Sequence, residues 1–117
     1  MTAQTTNRLM TGMITLHGGA TYKVTTSKNL RVGDEVMVAR FDNPKRVVVV
    51  TPSEAQRMTD QQRMMNGVTV LTVAKVEQVR LFGSDNAKRV HLHGEVSTID
   101  IARTTPCIVR VILKAGA

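Results

Sequence analysis

The sequence predicts an all-β fold: a small bent-strand barrel or compact sandwich of about seven strands with one short helix. Three observations carry this. Val, Ile and Thr dominate, Trp is absent, and Tyr22, Phe41 and Phe82 are the aromatics, a mixture suited to a pleated, half-buried surface. Apolar residues alternate with period two along much of the chain, with breaks at Gly, Asn, Asp and Pro. The phrase Asp-Asn-x-Lys-Arg-Val occurs as Asp42-Asn43-Pro44-Lys45-Arg46-Val47 and again as Asp85-Asn86-Ala87-Lys88-Arg89-Val90. Asn and Asp tolerate left-handed backbone and bond their own main chain, so each copy reads as a hairpin tip carrying a basic pair.

The 117 residues fit one β domain, 9–117, behind a polar arm, 1–8. The run 9–17 reads as the first strand, with Gly18-Gly19 as its turn. Residues 21–26 alternate, Tyr22 and Val24 on one face and Lys23 on the other. Ser27-Lys28-Asn29 breaks the pattern before a third strand, 35–41. Residues 45–51 form the fourth, and the unbroken run Val47 to Val50 predicts cover on both faces.

The helix is expected over about 52–65. Thr51 is an N-cap, Pro52 takes the first helical position and Glu54 completes a capping box. Asn66-Gly67 is a left-handed stop. Ala55, Met58 and Met65 make a thin apolar stripe, so the helix lies on the surface or offers its Met side to another chain. Beyond it Val68, Val70, Thr72, Ala74 and Val76 share a face until a slip at Glu77-Gln78, where Val79 and Leu81 take over, the mark of a bulge or barrel corner. The stretch 89–101 reads the same way, with Val90, Leu92 and Val96 in one phase and Ile99 and Ile101 in the other. After the turn Arg103-Thr104-Thr105-Pro106, a final strand covers 107–114; placed at a sheet edge it would invite a partner strand.

On one unbroken strand His91, His93 and Glu95 would point the same way, a weak candidate metal set. The arrangement resembles the first motif of cupins, but there the glutamate lies farther downstream and a glycine pattern frames the motif. The apolar residues hold the opposite phase, so the histidines are expected to face solvent or a partner, and no metal or cofactor is assigned. Ser27, Ser53, Ser84 and Ser97 lack a nucleophile elbow, and Cys107 falls in a core phase. Gly18-Gly19 leads into no helix and makes no phosphate loop. The chain is therefore not expected to be an enzyme.

A formal charge of +7 suggests an anionic partner, nucleic acid or an acidic protein. Lys45, Arg46, Lys88 and Arg89 lie just past the two tips, flanked by Arg40 and Arg80. If the tips stand side by side, these residues form a basic rim that holds phosphates. Few aromatics are present for stacking, which favours contacts to a nucleic-acid backbone or an acidic protein over base reading. A single cysteine, no signal-peptide core and no membrane-length apolar window place the protein in the cytoplasm or a virion, with no membrane partner.

Residues 12–50, containing LHGGATY and VGDEVMVARFDNPKRVVVV, resemble the small β-barrel near the C-terminus of Mu-type transposases. The likeness spans about a third of the chain, implies a barrel, and carries over no residue roles. The expected function is a non-enzymatic structural or interaction subunit of a repeating, bacteriophage-particle-like assembly, a homo-oligomer or a neighbour of other subunits. The alternative is a nucleic-acid-binding small β-barrel that uses its basic hairpin tips.

Overall fold

The computed structural model describes residues 12–81 and 84–111. The arm, residues 9–11, Phe82, Gly83 and the last six residues of the chain lie outside them. Eight strands form one curled antiparallel sheet: β1 (Met13–Thr15), β2 (Thr21–Thr26), β3 (Glu35–Ala39), β4 (Val48–Val49), β5 (Thr69–Leu81), β6 (Ser84–Leu92), β7 (Thr98–Ala102) and β8 (Pro106–Arg110). The order across the sheet is β1-β2-β8-β3-β5-β6-β7, with β4 also on β3. The all-β, barrel-like architecture is the one the alternation predicts.

The final strand is central. β8 pairs with β2 on one side and with the start of β3 on the other. Its residues divide between two cores: Cys107 and Val109 join Val36, Val38, Val73, Val90, Leu92, Ile99 and Ile101, and Ile108 joins Ile14, Leu16, Met37, Ala39, Val50 and Ala55. β3 divides likewise, Val36 and Val38 to the first core and Met37 and Ala39 to the second. Strands covered on both faces read as continuous apolar runs, which is why these two are so uniformly apolar. The two-sided cover expected of Val47 to Val50 is present: Val47 and Val49 face the first core and Val50 the second.

β5 lets the sheet curl. Its first residues pair with β3 and the remainder with β6. The register shifts between Val73 and Lys75 and again between Val79 and Leu81. The slip expected at Glu77-Gln78 is therefore two irregularities flanking that site. The first leaves Ala74 unopposed on β5 and the second puts the extra residue on β6, each bending the strand that carries it.

The single strand expected over 89–101 is a hairpin. β6 ends at Leu92, Gly94 takes φ +81°, and the Glu95 amide donates to the Leu92 carbonyl at 3.1 Å. The phase change is a reversal of direction, with Val90, Leu92, Ile99 and Ile101 all turned to the first core. Val96, expected in the apolar phase, sits in the turn and is fully exposed.

The single helix expected over 52–65 is two: α1 (Pro52–Arg57) and α2 (Asp60–Met65). Thr51 caps α1 with Glu54 in the expected box, and Thr59 opens a second box with Gln62. The second cap satisfies a new set of amide donors, so a break at Met58 costs little. Arg63, whose side chain is 12% exposed, holds the joint. Its Nη1 donates to the Met58 carbonyl at 2.8 Å, and its Nη2 reaches the His17 carbonyl and Asp60. Ala55 is buried under α1, whereas the expected stripe fails at Met65, which the turn between the helices leaves exposed.

Candidate functional site

The first basic phrase forms the β3–β4 loop. β3 stops at Ala39 rather than 41, because the Asn66 carbonyl accepts the amides of both Arg40 (3.1 Å) and Phe41 (2.9 Å) and Phe41 turns to φ +50°. Asn43 Oδ1 accepts the Lys45 amide at 3.1 Å, the side-chain-to-backbone bond that turn chemistry requires. Lys45 and Arg46 are exposed on this loop. Arg40 pairs with Glu95 at 2.9 Å, and Ser97 Oγ donates to the Lys45 carbonyl at 3.4 Å. The loop is thus seated against the β6–β7 turn.

The second phrase is not a tip. It lies inside β6, with Lys88 opposite Gln78 and Ile101, and Arg89 opposite Glu77 and Asp100. The hairpin closes across Leu81 and Ser84, upstream of the phrase. Exposed Arg80 lies near that closed end. The β3–β4 loop instead touches the turn at the far end of β6, about 26 Å of strand from the hairpin's closed end. The two tips therefore do not stand side by side, the arrangement on which the expected rim depended. Phrases alike at all but one residue took different structures because a Pro sits in one and a strand partner lies on each side of the other.

Arg40 and Arg89 are engaged by carboxylates. Arg89 makes a forked contact with Asp100, Nε to Oδ1 at 2.8 Å and Nη2 to Oδ2 at 3.0 Å. That contact lowers the Asp100 carboxyl from its ordinary value and raises the guanidinium. The Glu95 hydrogen bond likewise raises Arg40. Among the described residues Lys45, Arg46 and Lys88 have no carboxylate partner.

His91, His93 and Glu95 do not converge. His91 Nε2 donates to Glu77 Oε2 at 2.6 Å, His93 is exposed in the turn, and Glu95 reaches across to Arg40. Hydrogen bonds from His91 and then Lys75 hold the Glu77 carboxyl below its ordinary value. The shared face required an unbroken strand, and Gly94 ends it. No group of His, Cys, Asp and Glu among the described residues is arranged to hold a metal ion. Cys107 is buried as its phase indicated, and burial pushes its thiol up to about 12.

Three surface features remain. β7 borders the sheet with only β6 as a described neighbour. Its register is unbroken, Thr98, Asp100 and Ala102 face outward, and Arg89 neutralises its one charge. Met64 and Met65, at the end of α2, are 80% and 74% exposed. An open groove of about 940 Å³ runs beside β2 and β8, with Lys23, Arg31 and Arg110 on its walls. Arg110 is already forked onto Glu35, at 3.0 and 2.7 Å. No helix among the described residues is long and apolar enough to cross a membrane. No protein-family model, curated protein or solved structure matches the chain.

Proposed function

We propose that the chain is a non-enzymatic interaction subunit of a repeating assembly, of the kind that builds bacteriophage particles. The support is the open β7 edge. Edge strands are ordinarily guarded by Lys, Pro, a bulge or a covering segment, because unpaired backbone groups recruit other strands. Thr98-Ile99-Asp100-Ile101-Ala102 carries no Lys, no Pro and no bulge. A strand from a neighbouring subunit adds to such an edge through main-chain hydrogen bonds. Met64 and Met65 supply a second, adaptable apolar contact, and polarizable thioethers suit a surface that meets a partner.

Sedimentation velocity over a concentration series is expected to show a defined oligomer, weakened by Thr98→Lys, which places a charge on the open edge. A monomer at every concentration overturns the reading, as does an oligomer indifferent to both Thr98→Lys and the pair Met64→Ser with Met65→Ser.

A second reading, nucleic-acid binding, is favoured by Lys45 and Arg46, exposed on a braced loop with no carboxylate partner among the described residues. Each phosphate contact releases counterions, so affinity falls steeply with salt. Reversing both residues to Glu is expected to weaken oligonucleotide binding. Absence of binding at low salt removes this reading.

A further inference from the structure

Lys28 and Arg103, far apart in sequence, meet at a notch where the 3-10 turn Ser27–Asn29, β6 and the β7–β8 turn come together. The notch has a volume of about 320 Å³ and is lined by Lys28, Asn86, Ala102, Arg103 and Thr104. None of these is a carboxylate. Arg103 Nε is buried without a hydrogen-bond partner, the one such side-chain atom among the described residues. Nε has no exposed surface, so a ligand in the notch would meet the guanidinium at its terminal nitrogens.

The frame around the notch is braced. The Ser27 amide donates to the Thr105 carbonyl and the Lys28 amide to the Arg103 carbonyl, both at 3.0 Å. The Arg103 amide donates to the Asn86 carbonyl at 2.9 Å, and Ser27 Oγ, fully buried, donates to the Ala102 carbonyl. These contacts bring Lys28 and Arg103 to one notch, and none of its lining residues is a carboxylate. Like charges held this way repel unless an anion lies between them. A guanidinium and an ammonium offer a planar fork and a point charge, the donor set that suits a tetrahedral oxyanion.

We propose that this notch binds a phosphate group, free or carried on a nucleic-acid backbone. The site stands apart from the β3–β4 loop and adjoins the end of β7 at Ala102, and it does not depend on the assembly reading. The phosphate oxygens accept from the Arg103 guanidinium and from Lys28 Nζ, and the Thr104 hydroxyl adds a donor at the rim.

Titration of the full chain with inorganic phosphate, at constant ionic strength against chloride, is expected to give a saturable rise in melting temperature. Lys28→Gln, an exposed substitution that leaves the fold intact, is expected to weaken binding about tenfold, as loss of one charge-assisted bond predicts. Arg103→Gln is expected to weaken it at least as much; if that variant does not fold, Lys28→Gln decides. A single-stranded oligonucleotide separates the sources. Binding tighter than that of inorganic phosphate, and lost in Lys28→Gln but kept when Lys45 and Arg46 are reversed, identifies backbone phosphate. A response to inorganic phosphate alone identifies the free ion. No saturable response to either probe, or a response that Lys28→Gln leaves unchanged, overturns the proposal.

Discussion

Arg40 Nη1 and Glu95 Oε1 lie 2.9 Å apart and join the β3–β4 loop to the β6–β7 turn. The side chains are 29% and 17% exposed, so the pair is shielded more than a surface bridge. One partner flanks the first basic phrase and the other comes from the histidine-rich stretch. Two features with separate meanings in the sequence are one contact in the fold. Arg40→Gln and Glu95→Gln are each expected to lower the melting temperature, and the double variant to lose less than the sum. A double-mutant cycle with zero coupling would show that the bridge adds nothing beyond its loop.

The two capping boxes make comparable predictions. Glu54 Oε1 accepts from the Thr51 amide at 3.0 Å, and the Glu54 amide donates back to Thr51 Oγ1 at 3.4 Å. At the second cap the Thr59 amide donates to Gln62 Oε1 at 2.8 Å, with the return bond at 3.2 Å. Thr51→Ala and Thr59→Ala are each expected to cost about 1 kcal/mol in chemical denaturation. An unchanged midpoint for Thr59→Ala would mean that Arg63 alone holds the joint between the helices.

Gly18 and Gly19 both adopt left-handed backbone, at φ +96° and +89°, but only Gly18 has a neighbour in the way. A Cβ there would lie 2.7 Å from both Asp60 carboxylate oxygens, which Arg63 holds in place. Gly19→Ala is expected to cost about 1–2 kcal/mol for the backbone alone, and Gly18→Ala more. In an Asp60→Ala background the excess should vanish; an excess that persists refutes the contact.

Acid should unfold the protein through Asp100 and Glu77. Their carboxyls are held below the ordinary values of 3.8 and 4.5, mainly by hydrogen bonds from Arg89 and His91. A depressed carboxylate contributes stability that is complete above its unfolded value and is lost as pH falls through the folded one. The expected loss therefore begins near pH 4 to 5 and continues below the ordinary values. Asp100→Asn and Glu77→Gln should lower stability at neutral pH and flatten this acid limb. Parallel limbs in wild type and variants would exclude these two carboxylates as its source.

Cys107 is fully buried between β2 and β3, and burial pushes its thiol up to about 12. The unfolded chain ionises this thiol near 9.0, so the contribution to stability is present below that pH and declines as pH rises toward the folded value. In the native protein the thiol should resist an aromatic disulfide reagent at pH 8, and labelling should follow global unfolding in denaturant. Prompt labelling without denaturant would contradict the burial.

What the sequence determined by itself is local. The Thr51-Pro52-Glu54 cap, the Gly18-Gly19 turn, the Asn43 turn bond and the alternation that buries Val90 and Leu92 all depend on neighbours within a few residues, and all are present. Interruptions were harder to read. Gly94 preserves the alternation around it, so a hairpin and a bent strand share one pattern, and Thr59 can cap a helix or continue one. Tertiary structure alone decided the rest. β8 lies between β2 and β3 because of pairings across most of the chain, and no short-range preference encodes a partner that distant. The same applies to function-bearing groups. The two basic phrases differ at one residue, yet one forms a loop and the other lies inside β6, while Lys28 and Arg103 share no motif and line one notch. Side chains are brought together by strand order and register, and those are settled by the total burial of two cores rather than by any segment's own sequence.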